Sequence, residues 1–166
     1  MAGKRTLSRE LITSTALDVV ARDGLAALSM RRLAQELDVW PMSVYRHFRD
    51  KEDLLDAVAA AGADEMAMPR GRGSRQKRVA ALATEARAML ERQPADLRRR
   101  ALASAGLVRL SDAAREALAD GGLPPEDAAV AWHAVLAYVV GSIELDATTE
   151  AFEEGLERVL RGTITT

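Results

Sequence analysis

The 166-residue sequence has no cysteine, and this absence excludes several kinds of site. Disulfide scaffolds, thiolate zinc sites and cysteine nucleophiles all need a thiol, and a chain without cysteine suits the reducing cytosol. A membrane-spanning run is also missing, because the longest apolar stretch, residues 128–143, is too short and is interrupted by His133. The first ten residues are polar and basic with no apolar stretch behind them, so we expect no signal peptide.

Strand patterns are missing as well. No segment alternates apolar and polar residues for long, whereas Ala, Leu, Arg and Glu dominate and the apolar residues recur at helical spacing. Hydrophobic residues make up 48% of the chain, enough to form a packed core. We therefore predict an all-α fold.

Capping residues divide the N-terminal third into short helices. Ser8 precedes a helix that Gly24 ends, and Ser29 is placed to cap a second, short helix. Pro41 suits the first turn of a third helix, and Asp50 is placed to cap a longer fourth one. The sequence thus predicts a head, residues 1–50, built on three small helices, and a helical body, residues 51–166.

The body reads as further helices behind a linker at residues 69–74, "PRGRGS". A second break occurs at "DGGLPPED", before the most apolar segment. We predict helices at about residues 75–92, shortly after Pro94, and at about 107–119, 125–146 and 150–161. We interpret "LRRRALASAG", residues 97–106, as a solvated helical face.

Aromatic residues are scarce, yet they cluster in the head. The chain has two each of Trp, Tyr, Phe and His, and one of each lies within residues 40–48. Charge is divided too: residues 1–51 hold nine basic and six acidic residues, whereas the whole chain has a net charge of −2. A basic head on an acidic body indicates a polyanion as the partner of the head, although chance unevenness would give the same division.

Two short helices joined by a tight turn at Asp38 and Val39 form a helix-turn-helix. Its second helix would project Met42, Ser43 and Tyr45 outward, and a helix of this size fits the major groove of B-DNA. Any small three-helix domain would show similar apolar spacing, with Tyr and His covering the core. Periodicity alone therefore leaves both interpretations open.

The segment "LSMRRLAQELDVWPMSVYRHFRDKEDLLDAV" resembles the N-terminal DNA-binding domain of TetR-family transcriptional repressors. The resemblance covers roughly residues 8–60, and the spacing Tyr-x-His-Phe-x-x-Lys is its most specific feature. It implies an all-α regulator that binds a palindromic double-stranded operator as a homodimer, is released by a small-molecule inducer, and acts in the bacterial cytoplasm at the nucleoid. Asp38 stands where the family usually has glycine, at a turn position that favours a left-handed backbone.

The resemblance also implies which head residues contact DNA. Phosphate contacts are expected from Ser29, Tyr45, His47 and Lys51. Groove or base-edge contacts are expected from Met42, Ser43 and Arg46, with Trp40 and Pro41 at the entrance of the recognition helix.

The resemblance further implies that the last two long helices form a dimer contact. An apolar helix around residues 128–143 must be buried on several sides, either within one chain or against a second copy. We predict the interface residues Val135, Val139, Ile143, Phe152 and Leu156. An inducer pocket in the same half would use Met66, Met89, Leu107, Leu110, Trp132, His133 and Leu136, although such residues also form ordinary core.

Two other functions have less support in the sequence. A small helical enzyme using His133, Glu144 and Asp146 has no cysteine, glycine-rich phosphate loop or clustered ligands to support it, so we predict no enzyme, metal site or cofactor. The alternative that stays open is a DNA-binding structural or adaptor protein without a small-molecule ligand.

Overall fold

A computed structural model describes residues 6–64, 68–69 and 73–164, and within them the chain is all-α without strands. This confirms the predicted fold class. The helices are α1 (Arg9–Asp23), α2 (Met30–Glu36), α3 (Pro41–Tyr45), α4 (Lys51–Asp64), α5 (Arg75–Glu91), α6 (Ala95–Ala101), α7 (Ala105–Ala119), α8 (Pro125–Glu144) and α9 (Thr149–Ile164), with a short 3-10 turn at Leu25–Ala27.

Local capping sets the helix boundaries of the head, as the sequence predicts. The Ser8 hydroxyl accepts a hydrogen bond from the Leu11 backbone N–H, and the Ser29 hydroxyl accepts one from the N–H of Arg32. These bonds satisfy backbone donors that have no partner inside a helix. Gly24 ends α1 with a φ of 81°, a backbone conformation that glycine adopts without steric cost.

The turn between α2 and α3 holds the two helices of the motif together. Asp38 has a φ of 52°, so the residue at the expected glycine position does adopt the left-handed conformation. The Val39 N–H donates to the carbonyl oxygen of Ala34 at 2.9 Å, while Val44 and Phe48 are fully buried beneath the turn. The helix-turn-helix geometry therefore rests on backbone hydrogen bonds and a small apolar core.

In the body, α8 packs against α5, α7 and α9, and α4 packs against α6 and α7. Close contact between α8 and α9 depends on Gly155, since a side chain there would collide with the Tyr138 ring. Tyr138 stacks on Phe152, with ring centroids 5.7 Å apart, and donates a hydrogen bond to the Phe152 carbonyl oxygen at 3.1 Å. None of the described helices is long and apolar enough to cross a membrane.

Helix α6 is not the solvated face that the sequence analysis predicted, because two of its arginines form ion pairs with other helices. Arg98 pairs with Glu144 of α8 at 3.0 Å, and Arg100 pairs with Asp56 of α4 at 2.5 Å and also with Glu52. Leu97, which precedes these arginines, is fully buried. The interpretation of this helix was wrong because inter-helix ion pairs depend on packing that sequence spacing does not reveal.

Candidate DNA interface

Helix α3 and the residue before it expose large side chains to solvent. Trp40, which immediately precedes it, is 83% exposed, Met42 is 70% exposed and Tyr45 is 46% exposed. Pro41 occupies the first turn, where its missing N–H costs no hydrogen bond. Exposed aromatic residues with polar tips suit contact with another molecule better than contact with water.

The opposite side of α3 is fixed by burial and by one arginine. Val44 and Phe48 are fully buried, and the Arg9 guanidinium lies 4.0 Å from the centre of the Phe48 ring. Arg9 also donates to the His47 carbonyl oxygen at 2.5 Å and pairs with Asp53 at 2.5 Å. Helix α1 thereby holds the end of the recognition helix against the start of α4.

Two aspartates organise the start of α4. Asp50 caps this helix as predicted, because its carboxylate accepts from the Asp53 backbone N–H at 2.8 Å. The Asp53 carboxylate accepts from the Arg49 N–H at 3.0 Å. The pKa of Asp53 is lowered by its hydrogen bond with Arg9 and then by that of the Arg49 N–H, while the Asp53 N–H is the main cause of the lowered pKa of Asp50.

We expect this arrangement to make the head less stable at acid pH than at neutral pH. A lowered folded-state pKa adds stability above the unfolded pKa, about 3.9 for Asp, and this stability is lost as pH falls through the folded value. Asp53→Ala should therefore lower the melting temperature by a few degrees at pH 7, and the difference should shrink below about pH 4. Thermal melts at both pH values measure it, with Asp18→Ala, at an exposed site of α1, as the control. A difference that stays constant with pH would contradict this role of Asp53.

The described cations of the head and of the start of α4 fall into two groups. Arg9 and Arg49 pair with Asp53 and Asp50, while Arg22 and Arg32 both pair with Asp23 and Glu36. In contrast, Arg31, Arg46 and Lys51 are exposed and make no ion pair with the part of the chain that the structure describes. Their positive charge is therefore available to an external anion.

Arg31 was not among the predicted site residues. It lies in the first turn of α2, two residues after Ser29. Its neighbour Arg32 forms an ion pair with Glu36 at 2.7 Å. Arg32 and Glu36 have the i, i+4 spacing of a helical ion pair. The sequence therefore indicated that Arg32 pairs with Glu36 and that Arg31 does not.

The remaining predicted DNA contacts also lie in or beside this motif. Ser29 is exposed and caps α2, Ser43 and His47 are partly exposed in and just after α3, and Lys51 begins α4. Their contacts with DNA stay predictions, but the fold brings these residues to the two short helices and the start of α4.

The predicted pocket residues are less accessible. Met89, Leu107, Leu110 and Trp132 are at most 3% exposed and belong to the hydrophobic core, Leu136 is partly buried, and His133 is exposed. Met66 lies outside the described residues. The indole N–H of Trp132 is buried without an acceptor in the described part of the chain. Binding of a ligand to these residues would require the core around Trp132 to open.

The five predicted dimer residues are buried within one chain. Their exposed fractions do not exceed 7%, because α8 packs against α5, α7 and α9 within the single chain. These residues are Val135, Val139, Ile143, Phe152 and Leu156. The opposite side of α8 remains accessible to a second copy. That side is exposed or half-exposed and consists of Val130, Ala134, Ala137, Gly141 and Leu145, which we call the α8 stripe.

His133, Glu144 and Asp146, the three residues named for a catalytic role, do not form a metal-binding cluster. All three are exposed, and Glu144 is paired with Arg98. Among the described residues, no group of three or more His, Cys, Asp or Glu side chains could hold a metal ion.

Comparison with known proteins agrees with this geometry. Residues 12–58 match the family model of bacterial regulatory proteins of the tetR family. A protein named HTH-type transcriptional regulator from Saccharopolyspora erythraea is 33% identical over 148 residues, which is 87% of this chain; the chain spans 63% of that relative's length.

Solved structures agree over almost the whole chain. BioQ bound to its double-stranded DNA operator superposes with a TM-score of 0.83 at 25% identity, covering 97% of this chain and 100% of BioQ. ActR from Streptomyces coelicolor in complex with (S)-DNPA has a TM-score of 0.75 at 26% identity, covering 95% and 96%. These matches confirm the family suggested by the segment from Leu28 to Val58, and the chain belongs to the TetR family of bacterial regulatory proteins.

Proposed function

We propose that the protein is a homodimeric transcriptional repressor that binds a palindromic DNA operator and is released by a small molecule. The observation that carries the DNA-binding part is a set of three exposed cations in the helix-turn-helix and at the start of α4 that have no ion pair with the described residues: Arg31, Arg46 and Lys51. Phosphate groups bind such cations and release counterions from the duplex. Membership of a family of transcriptional regulators confirms that the chain is not an enzyme.

Within this proposal, α3 enters the major groove. Met42, Ser43 and Arg46 face base edges, where arginine can pair with guanine and apolar groups can contact the thymine methyl group. Tyr45, His47 and Lys51, with Ser29 from α2, contact phosphates and fix the orientation of the helix. Trp40 and Pro41 lie at the entrance of the recognition helix, and Arg31 adds a further phosphate contact. BioQ, whose structure contains its DNA operator, supports the use of this fold for such a role.

Selection from a pool of random duplexes tests the DNA-binding part. Two identical heads on a two-fold symmetric dimer should select an inverted repeat, with half-sites about one helical turn apart. Recovered sequences should lose preference at specific positions when Ser43 or Arg46 is replaced by Ala. Recovery of no enriched duplex would contradict the proposed function.

The dimer contact in this proposal is the α8 stripe. Val130 is 70% exposed and Leu145 is 83% exposed, at opposite ends of a line of small residues. Ala134, Ala137 and Gly141 between them would let the same helix of a second copy approach closely. An exposed apolar line of this kind is more favourable buried than in water.

Release of DNA would pass through α4, which begins beside the head at Lys51. Arg100 of α6 pairs with Glu52 and Asp56, so α4 is tied to the body near its start. An inducer that favours another position of α6 would move α4 and the two recognition helices relative to the groove. We expect negative coupling between inducer and operator of about 1–3 kcal/mol, equal in both directions.

A further inference from the structure

A cleft between α5, α6 and α8 has an apolar wall and an arginine, Arg99, without an ion pair to any described residue. Its volume is about 350 Å³, within the range of small-molecule sites. The wall is formed mainly by Leu90, Leu102, Val140 and Ile143, of which Leu90 and Ile143 are almost completely buried. An apolar surface of this shape suits the hydrocarbon part of a ligand.

The rim of the cleft carries two arginines and one carboxylate. Arg98 donates through Nη1 to Glu144 at 3.0 Å, but its Nε–H is buried and has no acceptor in the described part of the chain. Arg99 is exposed and makes no ion pair or hydrogen bond with any described residue. Glu144 therefore neutralises only one of the two guanidinium groups.

We propose that this cleft binds an amphipathic small-molecule carboxylate. Its hydrocarbon part would lie against Leu102 and Val140, and its carboxylate would accept a hydrogen bond from the exposed guanidinium of Arg99. A hydrogen bond between a guanidinium and a carboxylate is charge-assisted and is therefore stronger than one between neutral groups. The inference rests on the proposed ligand-responsive function and assigns a chemical class to its small molecule.

The position of the cleft links it to the head. Arg98 and Arg99 lie on the same short helix as Arg100, which holds Glu52 and Asp56 of α4. A ligand that draws Arg98 away from Glu144 would therefore act on the helix that ties α4 to the body.

Titration of the intact protein with octanoate and octan-1-ol, without DNA, tests the inference. The two probes share a hydrocarbon chain and differ in charge. Octanoate should bind saturably, at one molecule per chain, about tenfold more tightly than octan-1-ol, as a charge-assisted hydrogen bond predicts. Arg99→Gln should remove this preference without weakening octan-1-ol, and Leu102→Trp should weaken both probes by filling the cleft.

Arg115→Gln on α7, which replaces an exposed arginine away from the cleft, should leave both affinities unchanged. Equal binding of the two probes, no binding of octanoate, or an octanoate affinity that Arg99→Gln does not alter would each overturn the inference. Operator binding by the same preparation is measured separately. Failed octanoate binding with intact operator binding contradicts only the cleft assignment, whereas loss of operator binding in the wild type contradicts the proposed function.

Discussion

Ala137→Glu is expected to convert the dimer into a folded monomer that has lost most of its operator affinity. Ala137 is exposed in the middle of the α8 stripe, so the substitution places a charge where two copies would meet but disturbs nothing inside one chain. Burying an unpaired carboxylate in an apolar contact is strongly unfavourable. Light scattering should report 17.9 kDa instead of twice that mass, with an unchanged helical circular dichroism spectrum.

Val139→Glu is the matched comparison, two residues along the same helix. Val139 is fully buried within one chain, so the same charge there should unfold the protein and not merely separate two copies. A wild-type protein of 17.9 kDa at micromolar concentration, or an Ala137→Glu variant that remains dimeric, would contradict the α8 stripe as the interface.

Replacing Arg31 and Lys51 together with glutamine should weaken operator binding at least about 100-fold at moderate salt. Both cations are exposed and have no ion pair in the described part of the chain, so their loss removes charge without breaking a structural contact. Four phosphate contacts would be lost in a dimer. The negative slope of log K against log salt should therefore become shallower by about 0.9 for each lost contact. Binding isotherms at several salt concentrations measure both quantities.

Arg49→Gln provides the control for this pair of substitutions. The Arg49 side chain is 82% exposed, yet it is paired with Asp50 and is therefore less available to a phosphate. We expect a much smaller loss of affinity and little change in salt slope. If Arg49→Gln changes log K and the salt slope by half as much as the double substitution, the effect per removed charge is equal, and net charge alone, not the lack of an ion pair at Arg31 and Lys51, determines binding.

Local chemistry made the head predictable from sequence. Ser8 and Ser29 cap helices, Gly24 and Asp38 adopt positive φ, and Pro41 begins a helix, because each property depends on one residue and its immediate neighbours. These residues were sufficient to place a helix-turn-helix, and the exposed side of α3 followed from it.

The body was less predictable because its contacts join residues far apart in sequence. Helix α8 is apolar on several sides, and spacing alone did not reveal that Val139 faces inward while Ala137 faces outward. The pairs of Arg98 and Arg100 with Glu144 and Asp56 span more than forty residues and depend on how α6 lies against α4 and α8. The cleft beside Arg99 depends on the same packing, so neither its position nor its charge could be inferred earlier.

In the proposed function, the two heads of one dimer bind the two halves of a palindrome. The most direct measurement compares the affinity of the wild-type protein for the selected inverted repeat with its affinity for a duplex of equal length carrying one half-site, alongside the mass of each complex. We predict two chains on the inverted repeat, at least about tenfold tighter binding than to the single half-site, and no such preference for the Ala137→Glu variant. One chain on the inverted repeat, or equal affinities of the wild-type protein for the two duplexes, would contradict the account.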